Sequence, residues 1–178
     1  MQGVRDLALI SFYLDTACRH SEDANLQMED LDIQAGRAKV VGKGQRERYV
    51  FFGINVRKTL WKYVKTSRPE PESPFFNNVF LTHDGRPLGK KRVEAIVKKY
   101  GQKAGITGVR LSPHTLRHTA CVMYVRNRGD LFSLQALTGH SSLTVLRNYV
   151  NLDDADLQAA HTRYSPIDNL RYARRKAR

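Results

Sequence analysis

The stretch LTGHSSLTVLRNYV, residues 137–150, sets His140 nine positions before Tyr149, with a turn and a short helical pattern between them. A phenol held at a set distance from a histidine can act as a nucleophile, or it can be one more packed aromatic among eight tyrosines. Upstream, His114 and Arg117 lie three positions apart at a helix start and project from the same face. An arginine fork matches two phosphate oxygens, and a histidine can donate to the same group or move a proton. A solvated or capping pair uses the same spacing. Lys43 stands between Gly42 and Gly44 at a hairpin tip, where small residues let another backbone come close. It reads as a solvated turn lysine, or as one delivered to a nucleic-acid backbone and able to give up a proton. Arg19 ends an apolar helix, where a cation suits the last carbonyls; the other reading makes it the second arginine of a phosphate clamp. His83 and His161 have no companion at useful spacing.

The elements that must position these residues follow from periodicity. Val4, Leu7, Ala8 and Phe12 give an apolar helical face ending near Arg19, and Ser21 to Leu26 carries weaker helical spacing. Residues 37–53, RAKVVGKGQRERYVFFG, read as a β-hairpin turning at Gly42-Lys43-Gly44-Gln45. Val79 to Thr82 is expected to add a third strand closing at Asp84-Gly85. A helix with Val56, Leu60, Tyr63 and Val64 on one face precedes an irregular loop carrying Pro69, Pro71 and Pro74. Val93, Ile96, Val97 and Tyr100 form the next stripe, with lysines around it. A helix starts after Pro113 and stops at Gly129. Asp130 caps another that Gly139 ends, and Ser141 or Ser142 caps one running through Tyr149. Asp153 to Thr162 suggests a last helix. The class is α+β, mainly helical, with a small antiparallel sheet of about three strands.

Composition narrows the partner. The 178 residues fit one domain with a real core, and no apolar run approaches membrane-spanning length. The chain is expected in the cytoplasm. Cys18 and Cys121 are too few for a disulfide framework, and no His/Cys/Asp/Glu cluster has metal-ligand spacing. Thirty Lys plus Arg against seventeen Asp plus Glu give a net charge of +13. Such a surplus implies a polyanion, and phosphate contacts from Lys and Arg are the usual source of nucleic-acid affinity.

Taken in order, Arg19, Lys43 on a hairpin, His114-x-x-Arg117, Gly139-His140 and Tyr149 resemble the catalytic domain of the tyrosine recombinases, the phage-integrase type of site-specific DNA recombinase. The likeness runs from RDLALISFYLDTACRHSE through GKGQRERYVFFG and SPHTLRHTA to LTGHSSLTVLRNYV, and ALTGHSS before a tyrosine-bearing helix is its most specific part. It departs at Ala17, where the family usually has glycine, and at Asp23, where a hydrophobic residue is usual.

The resemblance implies a catalytic domain over residues 1–170, a basic and flexible tail over 171–178, and no N-terminal core-binding domain in this chain. It implies a recombinase that cleaves and rejoins double-stranded DNA through a 3′-phosphotyrosyl link, in integration or excision of a mobile element. Tyr149 would be the nucleophile, His114 its proton acceptor and Lys43 the general acid. Arg19, Arg117 and His140 would hold the phosphate, with no metal or cofactor. The partners implied are duplex DNA and three further copies in a homotetramer on the recombining sites, weakly associated or monomeric without DNA. Relaxation of supercoils in the manner of a type IB topoisomerase, or DNA binding without catalysis, are the competing expectations.

Overall fold

The structure, a computed structural model, describes residues 2–140, 142, 144–147 and 154–170. Helix α1 (Gln2–Thr16) turns Ala8, Leu9, Phe12 and Tyr13 inward at the i, i+3, i+4 spacing of an amphipathic helix. Arg5 and Asp6 on the same helix are buried as a mutual pair, and Arg5 also donates to the Leu81 carbonyl at 3.1 Å. Ala17, at the end of α1, has φ +48°, a left-handed conformation that costs a residue with a β-carbon about 1–2 kcal/mol. That strained corner redirects the chain so that Arg19 opens α2 (His20–Ala24).

The sheet has three antiparallel strands in the order β1 (Leu31–Asp32), β2 (Arg37–Val41), β3 (Glu47–Phe51). β2 and β3 form the expected hairpin, joined by a short 3-10 turn over Lys43–Gln45. Paired registers put Ala38, Val40, Arg48 and Val50 on the inward face. The third strand is not Val79 to Thr82. Val79, Phe80 and Leu81 are all buried in succession, so that segment passes through the core without the alternating faces of a sheet strand. Its backbone makes single pairings instead of a ladder: the Val79 N–H donates to the Leu26 carbonyl at 2.8 Å and the Leu88 N–H to the Phe80 carbonyl at 2.9 Å, beside isolated bridges of Gln27 with Asn78 and Leu81 with Pro87. β1 takes the edge of the hairpin instead.

α3 (Ile54–Thr66) buries Val56, Leu60 and Tyr63, and α4 (Lys90–Lys103) buries Val93, Ile96 and Val97. These join α1 and the sheet in one core, where Phe12 meets Phe52 edge-on at 5.5 Å and Tyr63 stacks on Phe80 at 5.7 Å. α5 (Pro113–Arg126) has proline in its first turn and is capped by Ser112, whose Oγ accepts from the Thr115 N–H at 3.3 Å. α6 (Leu131–Thr138) is capped by Asp130, which accepts from the Ser133 N–H at 2.9 Å, and ends at Gly139 with φ +67°. α5 and α6 form a second, smaller core of Ala120, Cys121 and Leu134 with Ala17 and Leu146, the last from α7 (Thr144–Arg147). α8 (Asp154–Tyr164) shows only exposed positions among its described side chains. The basic tail, 171–178, lies outside the described residues. No helix among those described is long and apolar enough to cross a membrane.

Candidate active site

Three of the six expected residues converge where the two cores meet. Arg19 comes from the corner after α1, Arg117 from the first turns of α5, and His140 from the loop after α6. Arg117 is 8% exposed and reaches two carbonyls, Ala17 at 2.5 Å and Thr138 at 2.8 Å, while its Nη2 lies 3.2 Å from His140 Nε2. Arg19 donates from Nη1 to Glu22 at 3.0 Å and from Nη2 to the Gly139 carbonyl, and it keeps 38% of its side chain open to solvent. One guanidinium is therefore sunk and fixed, and the other stands at the surface.

Two residues unflagged in the sequence hold this pair. Glu22, 1% exposed, accepts the Arg19 backbone N–H at 2.7 Å and both Nη groups of Arg48 at 2.6 and 2.8 Å. Arg48 also donates from Nε to the Leu137 carbonyl at 3.1 Å, tying β3 to the end of α6. Burial works to raise the Glu22 carboxyl, but the bonds from Arg48 and Arg19 outweigh it and hold the group below its ordinary value. Signals for both were present: Glu22 follows Arg19 by three in the manner of a capping box, and Arg48 falls on the inward register of β3. Thr138 is the third such residue; its hydroxyl lies 2.6 Å from His140 Nδ1.

Three guanidinium groups against one carboxylate leave an excess of positive charge. Burial first, then the charges of Arg117, Arg19, Arg48 and His114, push the His140 imidazole down to about 4. Burial and the neighbouring Arg19 likewise lower Arg117. The ring is thus neutral at physiological pH, next to three cations that share one carboxylate. His114 sits exposed in the first turn of α5, near enough to bear on His140 electrostatically.

Lys43 is reached only through its backbone. A β-carbon on Gly42 would come 3.0 Å from Glu22 Oε1 and 3.5 Å from Arg19 Nη1, so the base of the hairpin abuts the clamp and a larger residue would press on Glu22. The Lys43 side chain and the whole of Tyr149 lie outside the described residues. Ser142 accepts from the Thr144 N–H at 3.1 Å and so starts α7, the helix expected to run on to the tyrosine.

Residues 1–156 match the family model described as "Phage integrase family". The chain is 34% identical over 165 residues to tyrosine recombinase XerC of Lactobacillus leichmannii, covering 92% of this chain and 56% of the relative. It is 32% identical over 165 residues to tyrosine recombinase XerD of Staphylococcus epidermidis, with the same shares. The chain therefore spans little more than half the length of these relatives. Among solved structures it superposes on XerA recombinase with a TM-score of 0.75 and 26% identity, over 93% of this chain and 58% of that one. A likeness of fold extends to the Tn1549 transposon integrase, TM-score 0.71 at 23% identity, over 88% of this chain and 58% of that one. The chain belongs to the phage integrase family.

Proposed function

We propose that this chain is the catalytic domain of a site-specific DNA recombinase that breaks and rejoins strands through a phosphotyrosyl intermediate. The observation that carries the reading is the convergence of Arg19, Arg117 and His140 from three separate segments, with an excess of positive charge. The family and the +13 net charge support it.

The Tyr149 oxygen attacks the backbone phosphorus, a P–O bond to tyrosine forms, and the bond to the 5′-oxygen breaks. His114 accepts the phenol proton, needed because a phenol has an ordinary pKa of about 10, and Lys43 gives a proton to the leaving oxygen. Charge gathering on the nonbridging oxygens is met by Arg19, Arg117 and His140. Because the phosphodiester energy is kept in the tyrosyl link, rejoining needs no ATP.

A nicked suicide duplex incubated with the protein in EDTA should give a covalent adduct that Tyr149→Phe abolishes. An adduct surviving the substitution would assign the nucleophile elsewhere; binding with no adduct from the full-length protein would favour a DNA-binding module.

Assembly into a homotetramer on recombining sites belongs to the same proposal. α8 exposes Leu157 and Tyr164, and a groove of about 320 Å³ lined by Ala17, Phe52, Tyr124, Leu134 and Leu137 lies open beside the clamp. α8 of one copy would fill that groove on the next, bringing active sites together on DNA. Action on integrating or excising elements is the biological setting proposed.

A further inference from the structure

The hydrogen bonds around His140 fix where its ring proton sits. The Thr138 hydroxyl is 1% exposed as a residue and has one hydrogen to give. It lies 2.6 Å from the Leu134 carbonyl, 3.5 Å from the Gln135 carbonyl and 2.6 Å from His140 Nδ1. A carbonyl can only accept, so the hydroxyl hydrogen points to Leu134 and the hydroxyl oxygen accepts from Nδ1–H. On the far side of the ring, Nε2 faces Arg117 Nη2 at 3.2 Å, and a guanidinium can only donate. The opposite tautomer would set N–H against N–H at Arg117 and leave the Leu134 carbonyl without the hydroxyl. Both neighbours therefore select one form, Nδ1–H with a bare Nε2.

This form accepts at Nε2, whereas the role proposed above asks the ring to donate to a phosphate oxygen. We propose that Thr138 is a positioning residue that fixes the His140 proton on Nδ1 and makes Nε2 the resting acceptor of Arg117, so that His140 engages a phosphate by gaining a proton at Nε2. The second half rests on the phosphate-binding reading of the site. The balance is simple: one proton from solvent joins the Nε2 lone pair, the Arg117 hydrogen turns from Nε2 to the phosphate, and Nδ1–H stays on Thr138. The charges facing the ring are Arg117 and His114 on α5, Arg19 before α2 and Arg48 on β3. Glu22 of α2, the carboxylate of the cluster, is already taken by Arg48 and Arg19. A phosphate supplies the anion that lets the ring become a cation.

Long-range proton–nitrogen correlation spectra of the chain labelled with 15N-histidine, assigned by comparison with His140→Gln, read the tautomer directly. The wild type and Thr138→Ser should show Nδ1–H and a bare Nε2 at neutral pH. Thr138→Val, left with Arg117 alone to select the form, should show its two ring nitrogens shifted toward one another as the Nε2–H form gains population. Nε2–H in the wild type overturns the inference whatever the variants do, and so does an unchanged pattern in Thr138→Val. Calorimetry with a short mixed-sequence duplex at low salt, in two buffers of different ionisation heat, reads proton uptake. The wild type should take up more than His140→Gln, by as much as one proton per chain, and Thr138→Val less than the wild type. Equal uptake in wild type and His140→Gln overturns the uptake step. Neither readout uses Tyr149, so failure to cleave DNA and failure of this inference are told apart.

Discussion

Glu22 and Asp23 are neighbouring carboxyls, both 1% exposed, whose titration is displaced in opposite directions. Arginines surround Glu22 and keep it ionised. Both oxygens of Asp23 lack a hydrogen-bond partner among the described residues, and burial raises its carboxyl well above the ordinary range. Asp23 stands where the family resemblance leads one to expect a hydrophobic side chain, and it lies near enough to Tyr13 and Cys18 to bear on both electrostatically. Its unfolded form ionises near pH 4 while its folded form stays protonated, so the folded state loses ground as pH rises from there. Asp23→Leu should therefore raise the urea midpoint at neutral pH. Its margin over the wild type should shrink by about 1.4 kcal/mol per pH unit as pH falls from the folded titration midpoint toward about pH 4. A margin flat with pH would mean that Asp23 titrates normally.

Between elements, Arg48 is the joint. It is the charged member of an inward register whose other positions are Ala38, Val40 and Val50, and it bonds α2 through Glu22 and α6 through Leu137. Arg48→Met leaves Glu22 buried with half its donors gone, and removing one partner of a buried pair costs about 3 kcal/mol. Chemical denaturation should show that loss, and Glu22→Gln added to it should recover part; no recovery would mean that the cost lies in packing alone. The helices, the hairpin and the caps at Ser112 and Asp130 were legible in the sequence because their signals are local: apolar period, glycine turns, a hydroxyl or carboxylate before a helix. β1 was not, since a two-residue strand has no period to read and forms only because the hairpin offers an edge. The same divide runs through the site. Arg19, Arg117 and His140 are recognisable by type and order, whereas Arg48 matters through partners 26 and 89 residues away.

For the whole molecule, on the proposed function, the surplus of positive charge would set affinity for DNA and its salt dependence, while α8 and the open groove would set what copies do to one another. Leu157→Arg puts a charge on the apolar face of α8. On the tetramer proposal this variant should still form the covalent adduct on a suicide duplex but lose strand exchange at least tenfold, about 1.4 kcal/mol. Loss of both activities would place α8 in the folding of its own copy. The bonds that hold the clamp have one more consequence. Leu137, Thr138 and Gly139 offer their carbonyls at the C-terminal end of α6, the pole of a helix that carries partial negative charge and unspent acceptors. Arg48, Arg117 and Arg19 each take one. The end of α6 thus serves as a placeholder anion: it keeps three mutually repelling cations gathered, and on the proposed function its carbonyls are the acceptors that a phosphate would replace.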